Sequence, residues 1–528
     1  MKNYLVLSVL AGLFLVSCID DNSPGSPGTP MEPEPVEYTS GSADFSNYVA
    51  VGNSLTAGYS DAALFMDGQD ASFPNMLAGN FALAGGGNFT IPYMADNLGG
   101  ATLGGQPILG NRLILSFASG SPVPTPVSGT GSTEISNTLS GPFNNMGVPG
   151  AKSYHLVASG YGNVAGVAAG LANPYFARFA SSATATVIGD AVAQNPTFFT
   201  LWIGSNDVLG YATGGGTGVD QTGNLDPSTY GSADITDPNV FSSVYNGLLQ
   251  TLTANGAEGA VANIPDVNVL PYFTTVPYAP LDPTNPDFGP QIPTLNATFA
   301  QLNQVFAFLG VPERSIVFST DSASALVIKD ESLTDLSAQI SGALMAGGAD
   351  AGTAAVLGLL YGQARQANAQ DLIVFTSQTV IGELNEDAFA MLQGLGLPAE
   401  FAGQLAINGI TYPLEDKWVL TPDEQTSVST AITAYNQTIG ALAEQYNLAL
   451  VDVNAYLDKV ATEGIPLSDG STITADYATG GGFSLDGIHP SPRGYALVAN
   501  QFVAAINAGY GSNLPGVDPL DFTGLYIK

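Results

Sequence analysis

Four short apolar runs set the fold class of this chain. They cover residues 47–52, 197–204, 259–264 and 448–453, and each ends at a glycine, a polar turn or an acidic residue. They are rich in β-branched and aromatic residues and are apolar at successive positions, as in Tyr48-Val49-Ala50-Val51 and Phe198-Phe199-Thr200-Leu201-Trp202. A strand whose two faces are both apolar has both faces covered, which is the condition of a parallel sheet with helices on either side. Helical patterns separate the runs, for example residues 427–445 ahead of the fourth, and a last helix is expected over about 492–508. Strands alternating with helices predict an α/β sandwich with a mostly parallel sheet.

Two regions exceed a minimal α/β unit. Residues 80–140 are rich in Gly, Pro, Ser and Thr and read as long loops. Residues 266–426 read as a large insertion. It opens on a proline-rich loop, passes through an alanine-rich helical segment at 333–369 and continues into a strand-like run at 371–376. The apolar stretch 333–360 suits either a lid for acyl chains or an ordinary helical layer packed on a core. No repeat of solenoid period is present. The folded domain is expected over 45–510, with a C-terminal tail at 511–528.

The N-terminus assigns a compartment. A short positive start, Met1-Lys2-Asn3, precedes a nearly unbroken apolar run at 4–16. That run is too short for a spanning helix, which needs about 20 apolar residues, and has the length of a signal-peptide core. It ends in Leu15-Val16-Ser17-Cys18, which resembles a bacterial lipobox. The resemblance implies cleavage after residue 17 and a diacylglyceryl thioether on Cys18, the single cysteine of 528 residues. With one cysteine, no intramolecular disulfide can form. Residues 18–44 form a tether whose five prolines between Asn22 and Val36 favour an extended chain of about 3.1 Å per residue. Asp20-Asp21 resembles the acidic export signal of surface lipoproteins in Bacteroidetes-type bacteria. The expectation is a protein anchored to the outer membrane, on either of its faces, without spanning it.

Charge excludes one class of partner. The chain carries 11 basic and 45 acidic residues, and without Lys2 the balance is −35. Such a surface repels phosphate, so a nucleic-acid partner is rejected; solubility is the simpler reason for the acidity.

Histidine limits the chemistry. Only His155 and His489 exist, so imidazole acid–base work near neutral pH falls to one of them. His155 reads as a loop histidine. His489 lies in Asp486-Gly487-Ile488-His489-Pro490, where an acidic residue three positions earlier can accept the Nδ1 hydrogen and leave Nε2 free as a base. Gly52-Asn53-Ser54-Leu55 follows the first run, at the sheet edge where α/β proteins place their sites. A serine there is either a nucleophile or a plain helix cap. Gly204-Ser205-Asn206-Asp207 ends the second run and offers either a simple turn or an amide donor for an oxyanion. In Asn145-Met146-Gly147-Val148-Pro149-Gly150, a glycine N–H can approach a substrate oxygen unobstructed.

Taken in order, these four blocks resemble those of the SGNH (GDSL-like) serine hydrolases: G-N-S-L at Ser54, N-x-G-x-x-G ending at Gly150, G-x-N-D at Asn206 and D-x-x-H at Asp486/His489. The resemblance implies a flavodoxin-like α/β/α fold, Ser54 as nucleophile, His489 as base and Asp486 as its orienting acid. It also implies an oxyanion hole of the Ser54 N–H, the Gly150 N–H and the Asn206 side chain. Asn53 departs from the aspartate of the family's name motif. The expected function is ester hydrolysis through an acyl-serine, with no cofactor and no metal. A lipid, a simple ester or an acetylated glycan would each serve as substrate. The alternative is a surface binding lipoprotein that keeps the fold without turnover.

Other chemistries lack their residues. There is no G-x-S-x-G, no H-E-x-x-H and no Walker A lysine motif, and one cysteine with two histidines does not make a usual structural zinc site. The loop 282–287 offers carboxylates to calcium, but solvation of an ordinary loop explains it more simply.

Overall fold

The computed structural model describes residues 36–118 and 122–527. The signal segment, Cys18 and the tether up to residue 35 lie outside the described residues. The compact unit starts at Tyr38. Residues just before Phe45 already belong to it: Ala43 is buried, and the Ser42 N–H donates to the Tyr510 carbonyl at 2.8 Å.

The elements that build the site follow in chain order. They are β1 (Tyr48–Gly52), α1 (Ser54–Ala57), α2 (Phe73–Ala82), β2 (Asn145–Gly147), α3 (Val187–Val192), β3 (Phe198–Trp202), α4 (Asn206–Thr213), α5 (Pro238–Thr253) and β4 (Glu258–Ala262). After the insertion come α6 (Pro422–Gln445), β5 (Ala449–Val451), α7 (Val453–Thr462) and α8 (Pro492–Tyr510). The five strands form one sheet in the order β5-β4-β3-β1-β2, with every pairing parallel. This is the flavodoxin-like order, in which the chain reverses its direction of winding between β1 and β3.

Both faces of the sheet are buried, as the continuous apolar runs require. Side chains alternate along a strand, so neighbours leave to opposite faces. Val49, Val51, Phe199 and Leu201 join one core with Phe241, Tyr245 and Leu248 of α5 and Ile432, Tyr435 and Ile439 of α6. Tyr48, Ala50, Phe198 and Trp202 join another with Phe73 and Leu77 of α2 and Tyr495, Phe502 and Ile506 of α8. Phe198 touches the rings of Phe45, Phe81 and Tyr510. Its replacement by alanine would cost about 3–5 kcal/mol, from lost transfer energy and the cavity left behind.

The helix expected at 427–445 begins earlier, at Pro422, because Thr421 and Glu424 form a reciprocal cap: the Glu424 carboxylate accepts the Thr421 N–H at 2.7 Å. The last helix runs on to Tyr510 and is ended by Gly511 in the left-handed conformation.

The insertion differs from its expected outline. It holds its own core, in which Ile292, Phe299, Phe306, Ile328, Tyr361 and Leu405 are buried together. The segment 333–369 is two helices, Ser337–Ala346 and Ala351–Tyr361, parted by Gly347-Gly348 and followed by a short strand, Ala364–Gln366. The run 371–376 is not a strand of the main sheet. Only Leu372–Ile373 pairs as a strand, antiparallel with Val419–Leu420, and a 3-10 turn, Phe375–Thr379, begins after Val374. Residues 80–140 are long loops as expected, crossed by small ladders such as Leu113–Ser116 with Val123–Pro126. The tail at 511–527 is packed against the domain: Leu514 is buried, and the Leu115 N–H donates to the Tyr526 carbonyl at 3.0 Å.

Candidate active site

Strand register brings three of the four blocks to one edge. Gly52 lies level with Gly147 of β2 on one side and with Trp202 of β3 on the other. The residues that follow these three, Ser54, Gly150 and Asn206, therefore leave the sheet together at its carboxyl end, at the reversal point between β1 and β3. In open α/β sheets this is where ligands bind. The Val148 N–H donates to the Gly52 carbonyl at 3.0 Å, which carries the alignment one step beyond the strands. Gly52 has to be glycine, since a Cβ there would stand 2.4 Å from the Trp202 carbonyl oxygen.

Ser54 opens α1. Asn53 caps this short helix, its side-chain oxygen accepting the Leu55 N–H at 3.0 Å. An aspartate would cap in the same way through one oxygen, so the departure at Asn53 keeps the local structure. The fourth block arrives from a turn ahead of α8 and completes a chain of hydrogen bonds. The Ser54 hydroxyl lies 2.9 Å from His489 Nε2, and His489 Nδ1 lies 2.8 Å from Asp486 Oδ2. An ionised carboxylate only accepts, so Nδ1 carries the imidazole hydrogen and Nε2 accepts from the serine.

Asp486 is fixed by its own turn. Its Oδ1 accepts the N–H groups of Ile488 at 2.9 Å and His489 at 2.8 Å, and its Oδ2 also accepts the Ala62 N–H at 3.0 Å. Burial alone would raise this carboxyl. The adjacent His489 and the hydrogen bonds from its ring and backbone outweigh burial and hold it down at about 2. The spacing D-x-x-H thus does two jobs: the carboxylate shapes the turn that presents the ring it orients. The insertion supports this turn, as the Tyr272 N–H donates to the Gly487 carbonyl at 2.9 Å. The Tyr59 ring packs 4.7 Å from the imidazole.

Asn206 opens α4, with its amide partly exposed beside Ser54 and one hydrogen given to the Ala151 carbonyl at 2.9 Å. An amide has two hydrogens, so the second remains for a substrate oxygen. Gly150 is exposed and takes φ +80°, a left-handed conformation that strains other residues, and a Cβ there would meet only Asn173 Nδ2, at 3.9 Å. Backbone conformation, more than space, demands glycine here.

Two acidic residues to which the sequence assigned no role are buried next to the site. Asp207 is buried; it accepts the Ser153 hydroxyl at 2.7 Å and the Ser153 N–H at 2.8 Å. It ties the loop bearing Gly150 to the start of α4, and its place inside G-x-N-D was the available signal. Asp61 is also buried, and accepts the Leu485 N–H at 2.9 Å; burial pushes its carboxyl up to about 7. Nothing local in the sequence marks it. His155 stays apart from the serine: its Nδ1 accepts the Lys152 N–H at 3.1 Å, its ring stacks on Tyr161, and burial, helped by the Lys152 charge, pushes it down to about 4.

Such a constellation is suited to nucleophilic acyl transfer: an activated hydroxyl, an oriented imidazole, and donors beside them. Compared with models of protein families, with curated proteins and with solved structures, the chain finds no match.

Proposed function

We propose that this protein is a serine ester hydrolase of the SGNH (GDSL-like) type, carried as a lipoprotein on the bacterial outer membrane. The observation that carries the reading is the unbroken chain Ser54–His489–Asp486, with links of 2.9 and 2.8 Å, at the sheet's reversal point. Ser54 Oγ attacks the ester carbonyl while His489 Nε2 takes its proton. Asp486 holds the tautomer and stabilises the imidazolium. The Ser54 N–H, the Gly150 N–H and the Asn206 amide receive the oxyanion. His489 then returns the proton to the leaving alkoxide, and water repeats the sequence on the acyl-serine, releasing acid and free serine.

Detergent-solubilised full-length protein and p-nitrophenyl acetate test the reading. Ser54→Ala should abolish turnover without changing the melting temperature. A wild-type protein that is folded and binds ester without turnover would instead make it a binding lipoprotein.

The anchor is read from the Leu-Val-Ser-Cys block and the single cysteine. Cys18→Ser should release the protein from membrane fractions or block its maturation. Unmodified wild-type protein free in periplasm or medium would contradict the anchor.

A further inference from the structure

A cavity of about 90 Å³ adjoins Ser54 and His489. Its walls come from elements far apart in sequence. Helix α7 contributes Val453, Leu457 and Val460, and α8 contributes Leu497 and Val498. The i, i+4, i+7 spacing on α7 and the i, i+3, i+4 spacing of Gly494, Leu497 and Val498 on α8 put these positions on one face of each helix. Pro265, Val267 and Leu270, from the loop after β4, close another side. Polar groups are few, and three of them, Ser54, Asn206 and His489, are those assigned to the reaction. Val453, Leu457, Val460, Leu497 and Val498 are buried, and Tyr456 of α7, half-buried, also lines the cavity.

We infer that this cavity receives the acyl chain of the ester, that it suits a straight acyl group of four to five carbons, and that Leu457, Val460 and Leu497 set the limit. The inference rests on the ester hydrolase reading above. An acyl group stays on Ser54 through both half-reactions, whereas the alcohol must depart to solvent after the first. A recess walled on several sides beside the nucleophile suits the group that stays, and the exposed Gly150 side suits the group that leaves. Size follows from volume. An apolar cavity of about 150 Å³ takes benzene, with its six carbons. In proportion, the cavity here takes about three to four carbons beyond the carbonyl held at Ser54, which makes butyryl or pentanoyl the best fit. The walls away from Ser54 are mostly apolar and favour an apolar acyl group, and acetyl leaves most of them uncovered.

Burying one methylene in such a site raises kcat/KM about fourfold. Across p-nitrophenyl acetate, butyrate, pentanoate, octanoate and decanoate, kcat/KM should rise about tenfold or more from acetate to butyrate or pentanoate and fall by decanoate. A parallel series of acetates of methanol, butanol and hexanol should show little dependence on alcohol length. Leu457→Trp should collapse the butyrate-to-acetate ratio toward one, and Leu457→Ala should move the optimum to longer acyl chains. If the tryptophan variant does not fold, Leu497→Phe makes the same test. Labelling by a small fluorophosphonate separates two kinds of failure. If Ser54 is labelled but acetate or decanoate is the best substrate, or alcohol length governs the rate, the acyl cavity is overturned and the hydrolase reading stands. If Ser54 is neither labelled nor needed for turnover, the hydrolase reading falls.

Discussion

Asp207 grips Ser153 twice, through its hydroxyl at 2.7 Å and its backbone N–H at 2.8 Å. Ser153 lies just past Gly150 and Ala151, and Asp207 follows Asn206, so this contact sets the distance between two of the proposed oxyanion donors. Asp207→Ala would leave a buried hydroxyl and N–H without partners, at a cost of about 1–3 kcal/mol each. The expected outcome is a lower melting temperature together with a kcat loss that persists well below the melting transition. Urea denaturation and ester kinetics on the same preparation check it; a purely structural Asp207 would lower stability and leave kcat intact.

On the proposed mechanism, Asn206→Ala removes a donor to charge that develops only in the transition state. Such a loss costs about 10²–10³ in kcat, and KM changes little. Steady-state kinetics with a soluble ester decide it. A kcat within about threefold of wild type would remove Asn206 from the oxyanion hole.

Acid stability should depend on Asp486. Its carboxyl is held at about 2, below the ordinary 3.8. A depressed carboxyl gives stability that is present above the unfolded value and is lost as pH falls through the folded one. Wild type should therefore lose about 2 kcal/mol between pH 4 and pH 2 from this group. Asp486→Asn should lack that component of the loss in urea titrations at stepped pH.

Asp61 acts with the opposite sign. Its carboxyl is raised to about 7, so its contribution is present below pH 4 and is lost as pH rises through 7. It also sits at φ +50°, which asparagine tolerates well. Asp61→Asn should be more stable than wild type at pH 8 and should flatten the decline between pH 4 and pH 7. Equal melting temperatures of the two proteins at pH 8 would contradict this.

The sheet was legible wherever both faces are apolar. The four runs at 47–52, 197–204, 259–264 and 448–453 correspond to β1, β3, β4 and β5. Strand β2 was not seen as a strand, because Asn145-Met146-Gly147 has three residues and no apolar run; its pairing with β1 makes it one. Ser54, Gly150, Asn206, Asp486 and His489 were legible as ordered blocks, since each sits on a turn with its own local signature. Asp61 was not, because its partner Leu485 is 424 residues away in sequence. The insertion hid its separate core because an alanine-rich stretch has little amphipathic contrast. No residue of 333–360 lines the cavity beside Ser54; Ile340, Leu344, Ala354 and Leu360 pack inside the insertion's core. That favours the helical layer over the lid.

Covalent capture tests the central claim most directly. Full-length protein in detergent is treated with a fluorophosphonate, digested and mapped by mass spectrometry. The account predicts one adduct, on Ser54, with ester turnover lost in proportion to labelling, and strong slowing of labelling in His489→Ala. An adduct on a different serine, or labelling of Ser54 that leaves turnover untouched, would contradict it.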